Sequence, residues 1–193
     1  EPHYLIGLRG IPEMSDIEVS QGIRIGSGVS LASVAAHSLI QDKYPALATA
    51  AGIVSSPQLR NMGTLGGNLC IDTRCTYYNQ NYSWRKSLGF CMKKDGDICW
   101  VALSSPKCLA VSSSDCAPVM MALGAEYRLL GVRGERNIKA EEFYHDDGID
   151  YLNKKPDEIL ISVSLPEMKG WTSAYLKLRR RGTIDFPVVG AAA

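Results

Sequence analysis

The order of apolar and polar positions along the chain predicts a mixed α+β domain interrupted by one long irregular segment. Alternating or short apolar runs, separated by glycine and proline, indicate strands. The predicted strands are 4–8, 17–19, 23–25, 126–130, 159–165 and 174–178, and the final run 188–193 has the same pattern. Because helical patterns lie between these strands, we assign the chain to the α+β class.

Three helices are predicted, each with a recognisable start. Ser30 is a preferred N-cap residue. The apolar face that follows it consists of Leu31, Val34, Ala35 and Leu39. Pro45 suits the first position of a second helix, which we expect to end near Val54. A third helix follows Asp115 and ends at Gly124.

Residues 70–112 show little periodicity and contain five of the six cysteines and six of the fifteen aromatic residues. A stretch of this length without regular structure is uncommon inside a compact domain. We therefore interpret it as an insertion that is ordered by something other than a hydrophobic core. The predicted organisation is one domain formed by 1–69 and 113–193, with 70–112 inserted into it.

Composition indicates a globular protein without an overall electrostatic preference. The chain has 193 residues, 46% of them hydrophobic, and a net charge of +1, so no whole-chain field attracts nucleic acid or a membrane. No apolar run reaches the ~18 to 20 residues that a membrane span requires, and the first residues do not resemble a signal peptide. We expect a cytoplasmic protein whose cysteines stay reduced.

Four cysteines form a candidate metal-binding set. Cys75, Cys91, Cys99 and Cys108 are separated by 15, 7 and 8 intervening residues, whereas Cys70 and Cys116 lie at the edges of the insertion. Thiolates bind both zinc and the iron of sulfide clusters. The set lacks the close cysteine pairs of structural zinc sites, and its spacing is not a ferredoxin motif. Spacing alone therefore leaves open a cluster, a zinc ion or four unconnected buried cysteines.

A polar, glycine-rich turn is a candidate phosphate site. It consists of Thr64, Leu65, Gly66, Gly67 and Asn68. Glycines let backbone N–H groups approach a phosphate, and the side chains of Thr64 and Asn68 can add hydrogen bonds. The turn matches neither the dinucleotide-binding fingerprint nor the P-loop. Taken alone, a plain Gly-Gly turn without a ligand is the simpler interpretation.

Two charged residues have ordinary and functional interpretations side by side. Asp115 precedes a helix, so an N-cap is its default role, although an aspartate in this place can also accept a hydrogen bond from a ribose hydroxyl. Lys177 lies in a basic run that is more typical of a solvated edge than of a site.

Taken together, these motifs resemble the FAD-binding medium subunit of the molybdenum hydroxylases, the family of carbon monoxide dehydrogenase and xanthine dehydrogenase. The resemblance begins at Ile23 and covers the rest of the chain apart from the insertion. It rests on the segments 25–31, 60–68, 114–125, 157–161, 173–177 and 185–189. It implies an FAD-binding domain of the molybdopterin dehydrogenase type, which is PCMH-like.

The resemblance also implies roles for particular residues. In that family the Thr-x-Gly-Gly-Asn turn holds the FAD pyrophosphate, and this turn is 64–68 here. Asp115 corresponds to a residue on the adenosine side, and Leu160 and Lys177 correspond to positions near the isoalloxazine ring. No residue of this chain is expected to be catalytic. The family's second FAD loop and its small C-terminal domain are not recognisable, so the chain is expected to contain part of the flavin site.

The insertion resembles the loop of the β subunit of 4-hydroxybenzoyl-CoA reductase, which carries a 4Fe-4S cluster on four cysteines. This resemblance implies that Cys75, Cys91, Cys99 and Cys108 are cluster ligands. It also implies a relay of electrons from ferredoxin through this chain to a molybdopterin-containing large subunit, with 2Fe-2S clusters on a small subunit. The alternatives are the FAD subunit of another molybdenum hydroxylase and a zinc-stapled binding module.

Overall fold

The computed structural model describes residues 3–193, which form two compact units. The first unit comprises the chain up to Cys70, Ser114–Glu141 and Lys154–Ala193, and the second comprises Ile71–Ser113 and Glu142–Asn153. The helices are α1 (Pro12–Ser15), α2 (Leu31–Ala36), α3 (Ser38–Lys43), α4 (Pro45–Gly52), α5 (Pro57–Met62), α6 (Leu65–Leu69), α7 (Tyr82–Ser87), α8 (Cys116–Ala122) and α9 (Ala140–Phe143). The strands are β1 (Ile17–Ser20), β2 (Gly22–Gly26), β3 (Glu126–Gly131), β4 (Gly134–Lys139), β5 (Ile159–Pro166), β6 (Tyr175–Leu178) and β7 (Val189–Ala192).

The first unit is built on a five-stranded antiparallel sheet in the order β1-β2-β5-β3-β4. Strand β5 pairs with both β2 and β3, and its residues 160–163 are buried in succession. A strand buried on both faces has a nearly continuous apolar sequence. The apolar run 159–165 therefore predicted this strand correctly.

A second sheet of two strands, β6 and β7, lies in the same unit. Helix α4 contacts both β6 and α8, and α8 also contacts β7. Helix α4 also contacts α2 and α3, and it buries Ala46, Leu47, Ala50 and Ala51. Small alanine side chains let the neighbouring backbones approach, so the Ala-rich pattern that predicted the helix also determines its packing.

Two strand assignments from the sequence differ from the structure. Residues 4–8 form no strand, so that prediction is wrong, and the side chains of Tyr4, Leu5 and Ile6 are 88%, 92% and 82% exposed. A strand needs a neighbouring strand whose backbone N–H and C=O groups pair with its own, and an apolar run alone does not supply one. The sequence does not predict strand β4, because this edge strand buries only Ile138. The next buried residue, Ala140, lies just beyond its end. Polar residues are normal on such an edge.

The helix starts agree with the sequence, and one helix ends early. Ser30 accepts a hydrogen bond from the backbone N–H of Ser33, which confirms its role as an N-cap. The helix stops at Ala36 because His37 is extended, and α3 begins at Ser38. Ile40 is therefore buried, whereas Leu39 is only partly buried. The predicted apolar face is thus divided between two short helices.

The second unit has little regular structure and is held by side chains and isolated bridges. Helix α7 is capped by Asn81, whose Oδ1 accepts from the backbone N–H of Trp84. Arg74 pairs with Val111, and the N–H of Gly148 donates to the carbonyl of Cys108 at 2.8 Å. A Cβ on Gly148 would lie 2.7 Å from the sulfur of Cys108. Gly148 is therefore required for the close approach of 142–153 to this cysteine.

Among residues 3–193, no helix is both long enough and apolar enough to cross a membrane.

Candidate functional site

The glycine-rich segment borders a pocket of about 680 Å³ in the first unit. We call it the glycine pocket. Its lining includes Ser27, Gly28, Ser30, Thr64, Gly66, Gly67, Lys154, Glu158 and Leu160. The volume lies within the ~300 to 1,000 Å³ that is typical of ligand pockets. The pocket brings together four of the predicted site residues, namely Thr64, Gly66, Gly67 and Leu160.

The predicted turn 64–68 is largely a short helix, α6. Thr64 is its N-cap, and Thr64 Oγ1 accepts from the backbone N–H of Gly67 at 3.1 Å. Gly66 donates its N–H to the carbonyl of Ser27, and a Cβ on Gly66 would lie 2.6 Å from Ser27 Cβ. A Cβ on Gly67 would meet only Thr64 Oγ1, at 3.2 Å. The missing side chain of Gly66 therefore lets α6 pack closely against Ser27, whereas the missing side chain of Gly67 leaves backbone exposed at the pocket.

The other two residues of this segment are not in the lining of the glycine pocket. Leu65 is fully buried in the core. Asn68 is 8% exposed, and its Oδ1 accepts from Ser114 Oγ at 2.8 Å and from the backbone N–H of Cys116 at 3.1 Å. Asn68 thus connects α6 to the start of α8.

Ser27 is a pocket residue that the sequence analysis did not single out. Its Oγ is buried and has no hydrogen-bond partner within 3–193. A buried hydroxyl without a partner is costly and indicates a ligand or water at that position. Ser27 lies between Gly26 and Gly28, whose close contacts with the backbone of Met14 leave no room for a Cβ. The Gly-Ser-Gly sequence was the available signal.

Asp115 and Lys177 form a separate buried cluster. Their side chains are 3% and 2% exposed, and Lys177 Nζ donates to Asp115 Oδ2 at 2.8 Å. Tyr175 donates its hydroxyl to Asp115 Oδ1 at 2.8 Å. Burial, together with the Asp115 carboxylate, raises the pKa of Tyr175. These two residues are not in the lining of the glycine pocket.

The expected N-cap role of Asp115 is wrong, because its side chain makes no capping hydrogen bond. Ser114 Oγ instead accepts from the backbone N–H of Ala117 at 3.0 Å. The solvated-edge interpretation of Lys177 is also wrong, since this side chain is buried. Both residues serve an internal ion pair.

The second unit brings the four candidate cysteines together. Cys75, Cys91, Cys99 and Cys108 line one small pocket, which we call the cysteine pocket, with about 10 Å³ of free volume. Tyr77, Tyr78, Trp100 and Lys93 also line it. Cys91, Cys99 and Cys108 are buried, and Cys75 is partly exposed. Within 3–193, no three His, Cys, Asp or Glu side chains are arranged to hold a single metal ion.

Backbone N–H groups are directed at two of these sulfurs. Burial raises the pKa of Cys99, but hydrogen bonds from the backbone at Ala102, Leu109 and Val101 outweigh it, so the pKa is lowered. Burial raises the pKa of Cys108, and a backbone hydrogen bond from Ala110 opposes that effect. Donors around a sulfur stabilise its thiolate form, which is the form that binds metals.

The two remaining cysteines differ from this set. Burial raises the pKa of Cys70 to about 11 and also raises the pKa of Cys116. Both thiols therefore stay protonated. Cys70 lies in the lining of the glycine pocket, and Cys116 is fully buried at the start of α8.

Residues 1–168 match the family described as the FAD binding domain in molybdopterin dehydrogenase. This chain belongs to that family. The match confirms the predicted fold class, and it includes the glycine pocket and the cysteine pocket, whereas Lys177 lies beyond it.

Relatives of known type support the assignment. The aldehyde oxidoreductase FAD-binding subunit PaoB of Escherichia coli K12 is 34% identical over 100% of this chain and 64% of its own length. The carbon monoxide dehydrogenase medium chain of Hydrogenophaga pseudoflava is 25% identical over 100% of this chain and 53% of its own. A crystal structure of cyanide-inactivated Cu,Mo-CO dehydrogenase matches with a TM-score of 0.70 and 24% identity, covering 96% of this chain and 51% of the other. The chain thus spans about half to two thirds of these relatives.

The glycine pocket has features that suit a phosphate-containing ligand. Gly67 offers a backbone surface without a side chain, and Ser27 Oγ offers an uncommitted donor. Lys154 adds a positive charge to the lining. Its sequence context, a run of Asn, Lys, Lys and Pro, is typical of a solvated turn and contained no signal for this position.

Proposed function

We propose that this chain is the electron-transfer subunit of a molybdenum-containing oxidoreductase, with FAD at the glycine pocket and a 4Fe-4S cluster on Cys75, Cys91, Cys99 and Cys108. The observation that carries the cluster is the cysteine pocket, which is lined by all four cysteines although they are spread over 75–108 in sequence. The backbone donors at Cys99 suit a thiolate ligand. Because the pocket has about 10 Å³ of free volume, the four sulfurs would have to move outward to hold a cluster.

The FAD placement rests on family membership and on the lining of the glycine pocket. The exposed backbone of Gly67 and the charge of Lys154, both in the pocket lining, suit the pyrophosphate. Leu160 provides an apolar surface in the same lining. Asp115 and Lys177 are proposed to act through their ion pair, which holds the first turn of α8 and strand β6 together.

FAD exchanges electrons singly or in pairs, whereas a cluster exchanges one at a time. A chain that holds both can therefore connect a one-electron partner protein to a two-electron reaction. The partners proposed from the family are a large subunit with the molybdenum cofactor and a small subunit with 2Fe-2S clusters. The substrate reacts on the large subunit.

Aldehyde oxidation is the first candidate for the overall reaction. It is supported by the 34% identity to an aldehyde oxidoreductase subunit over the whole chain. In this reaction an aldehyde and water give a carboxylic acid, two protons and two electrons. The electrons then leave through this subunit, one at a time where the acceptor is an iron-sulfur protein.

Reductive dehydroxylation of 4-hydroxybenzoyl-CoA is the second candidate. It is supported by the resemblance of the cysteine insertion, since a cluster beside a flavin suits delivery from a low-potential donor. Two electrons from two reduced ferredoxins and two protons convert the substrate to benzoyl-CoA and water. Anaerobic assays of the purified complex with an aldehyde series, and with 4-hydroxybenzoyl-CoA and reduced ferredoxin, distinguish the two reactions.

Metal analysis of the anaerobically purified complex tests the cluster. We expect about four iron atoms per copy of this chain in addition to those of the small subunit. Cys91→Ser should lose them, and Cys70→Ser, the matched control outside the proposed set, should keep them. Zinc in place of iron would support the binding-module alternative. Iron lost from the Cys70 variant but retained in the Cys91 variant would contradict the ligand assignment.

A further inference from the structure

Lys93 is a buried cation in the lining of the cysteine pocket. It follows Cys91 by two positions, and its side chain is only 7% exposed. Both Lys93 and Cys108 line the same pocket. A buried ammonium is costly unless several acceptors satisfy it, so a lysine in this place needs a physical explanation.

The ammonium group is held in one position by three acceptors. Lys93 Nζ donates to Asp72 Oδ1 at 2.8 Å, to Thr73 Oγ1 at 2.6 Å and to the carbonyl of Gly148 at 2.6 Å. An ammonium has three N–H donors, and each of these has a partner. The rings of Tyr78 and Tyr151 lie 4.9 Å and 5.4 Å from Nζ, within the range of cation–π attraction.

Lys93 lines the same pocket as the four cysteines, so its buried positive charge lies at that pocket. A buried charge is poorly screened by salt, so its influence on the pocket persists at physiological ionic strength. Four thiolates around a cluster make the site negative, and each added electron makes it more so.

We infer that Lys93 is a positioning residue that raises the reduction potential of the cluster by placing a fixed positive charge beside the cysteine pocket. The inference rests on the proposed cluster. A positive charge stabilises the more negative, reduced form of the site, and local charge is one of the determinants of cluster potential. The bond to Gly148 also places 142–153 against Cys108, which keeps this geometry constant.

A redox titration of the assembled complex, monitored by the electron paramagnetic resonance of the reduced cluster, tests this role. Lys93→Met keeps the length of the side chain and removes the charge, so the midpoint potential should fall. Asp72→Asn removes the carboxylate that partly neutralises Lys93, so the potential should rise. Lys93→Arg keeps the charge and should stay near wild type. Lys94→Met is the matched control, because its side chain is 59% exposed and its charge is screened; it should not change the potential.

The opposite signs separate an electrostatic role from a merely structural one. Loss of packing or of a hydrogen bond would shift Lys93→Met and Asp72→Asn in the same direction, which would overturn the inference. An unchanged potential in Lys93→Met with full iron content would do the same. If Lys93→Met fails to assemble, a rise in Asp72→Asn supports the inference and no change in it overturns it. A wild-type complex without this iron overturns the proposed cluster itself, so the two failures are distinguishable.

Discussion

At the scale of single residues, the ion pair of Asp115 and Lys177 shows that two residues of a family motif can be required for the stability of the fold. Both side chains are almost fully buried, and Tyr175 supplies a further hydrogen bond to the carboxylate. Each charge would be strongly unfavourable in the interior without the other. The fold therefore requires both members of the ion pair, whether or not FAD is bound.

Lys177→Met should lower the free energy of unfolding by about 3 to 5 kcal/mol, because it leaves Asp115 charged and unpaired in the interior. Denaturant unfolding followed by circular dichroism measures this change. Lys139→Met is the matched control, since the Lys139 side chain is 67% exposed and its contact with Glu141 is 3.8 Å long; its effect should stay below about 1 kcal/mol. Equal, small effects of the two substitutions would show that the buried pair contributes little.

The same scale shows which site residues the sequence could predict. One pocket contains four of the residues that the sequence predicted, namely Thr64, Gly66, Gly67 and Leu160. They could be predicted because several family motifs in a fixed order indicate a tertiary arrangement that no single residue indicates. Ser27 and Lys154 were missed because an unpartnered buried hydroxyl and a charge at a pocket wall are products of packing between distant segments. Local sequence patterns do not contain that information.

At the scale of elements, α6 contains two adjacent glycines with different roles. Gly66→Ala places a Cβ within 2.6 Å of Ser27 Cβ, so α6 must shift, and we expect a loss of about 1 to 3 kcal/mol in the free energy of unfolding. Gly67→Val places its side chain at the pocket and should reduce the FAD content of the complex with a much smaller effect on unfolding. Flavin absorbance per copy and unfolding curves measure the two effects.

A matched control for these glycines is Gly52→Ala in α4, where a Cβ would meet only Ala35 Cβ at 3.7 Å. This variant should keep both FAD and stability, because that distance is ordinary van der Waals contact. Wild-type FAD content in the Gly67→Val complex would show that the start of α6 does not face the cofactor.

Strand β4 is joined to the turn before β5 by Arg136 and Glu158, and this pair makes the stability of the first unit depend on pH. Two hydrogen bonds from Arg136, at 2.8 Å and 2.9 Å, lower the pKa of Glu158 from its ordinary value of 4.5 to about 2. The stabilisation is present above the unfolded pKa and is lost as the pH falls through the folded pKa. Unfolding measured between pH 5 and pH 2 should therefore show a steep loss of stability.

Glu158→Gln removes the titrating group, so part of this pH dependence should disappear and the variant should start from a lower stability at pH 5. Glu141→Gln is the control, because Glu141 makes only a 3.8 Å surface contact with Lys139. If the free energy of unfolding of the Glu158 variant falls with pH as steeply as that of the wild type, other carboxylates cause the acid sensitivity.

The elements that the sequence predicts well are those whose burial gives a clear period. Strands β2, β3 and β5 and helices α2, α4 and α8 carry regular apolar positions or distinct caps, and each was found. The polar edge strand β4 and the unpaired run 4–8 were misjudged for the opposite reasons. In both cases the sheet partner, which lies far away in sequence, decides the structure rather than local propensity.

At the scale of the whole molecule, the chain has one unit organised by a sheet and one organised around cysteines and aromatic rings. The irregular composition of 70–112 could be read from the sequence, but the contribution of Glu142–Asn153 to the second unit could not. That segment is tied to Lys93 and Cys108 through Gly148, a glycine with no distinctive neighbours in sequence. Only the fold shows why it is needed.

Electron transfer through the assembled complex should depend on the proposed cluster ligands. Cys99→Ser removes a proposed cluster ligand whose sulfur is surrounded by backbone donors, while the glycine pocket in the first unit stays intact. The variant complex should retain FAD and molybdenum and lose turnover with a one-electron partner protein. In stopped-flow experiments on the wild type, reduced ferredoxin should bleach the cluster before the flavin. Cys116→Ala, which removes a buried thiol outside the proposed set, is the control and should turn over normally. Undiminished turnover in the Cys99 variant, at proven loss of its iron, would place the cluster outside the path and leave the flavin as the sole carrier in this chain.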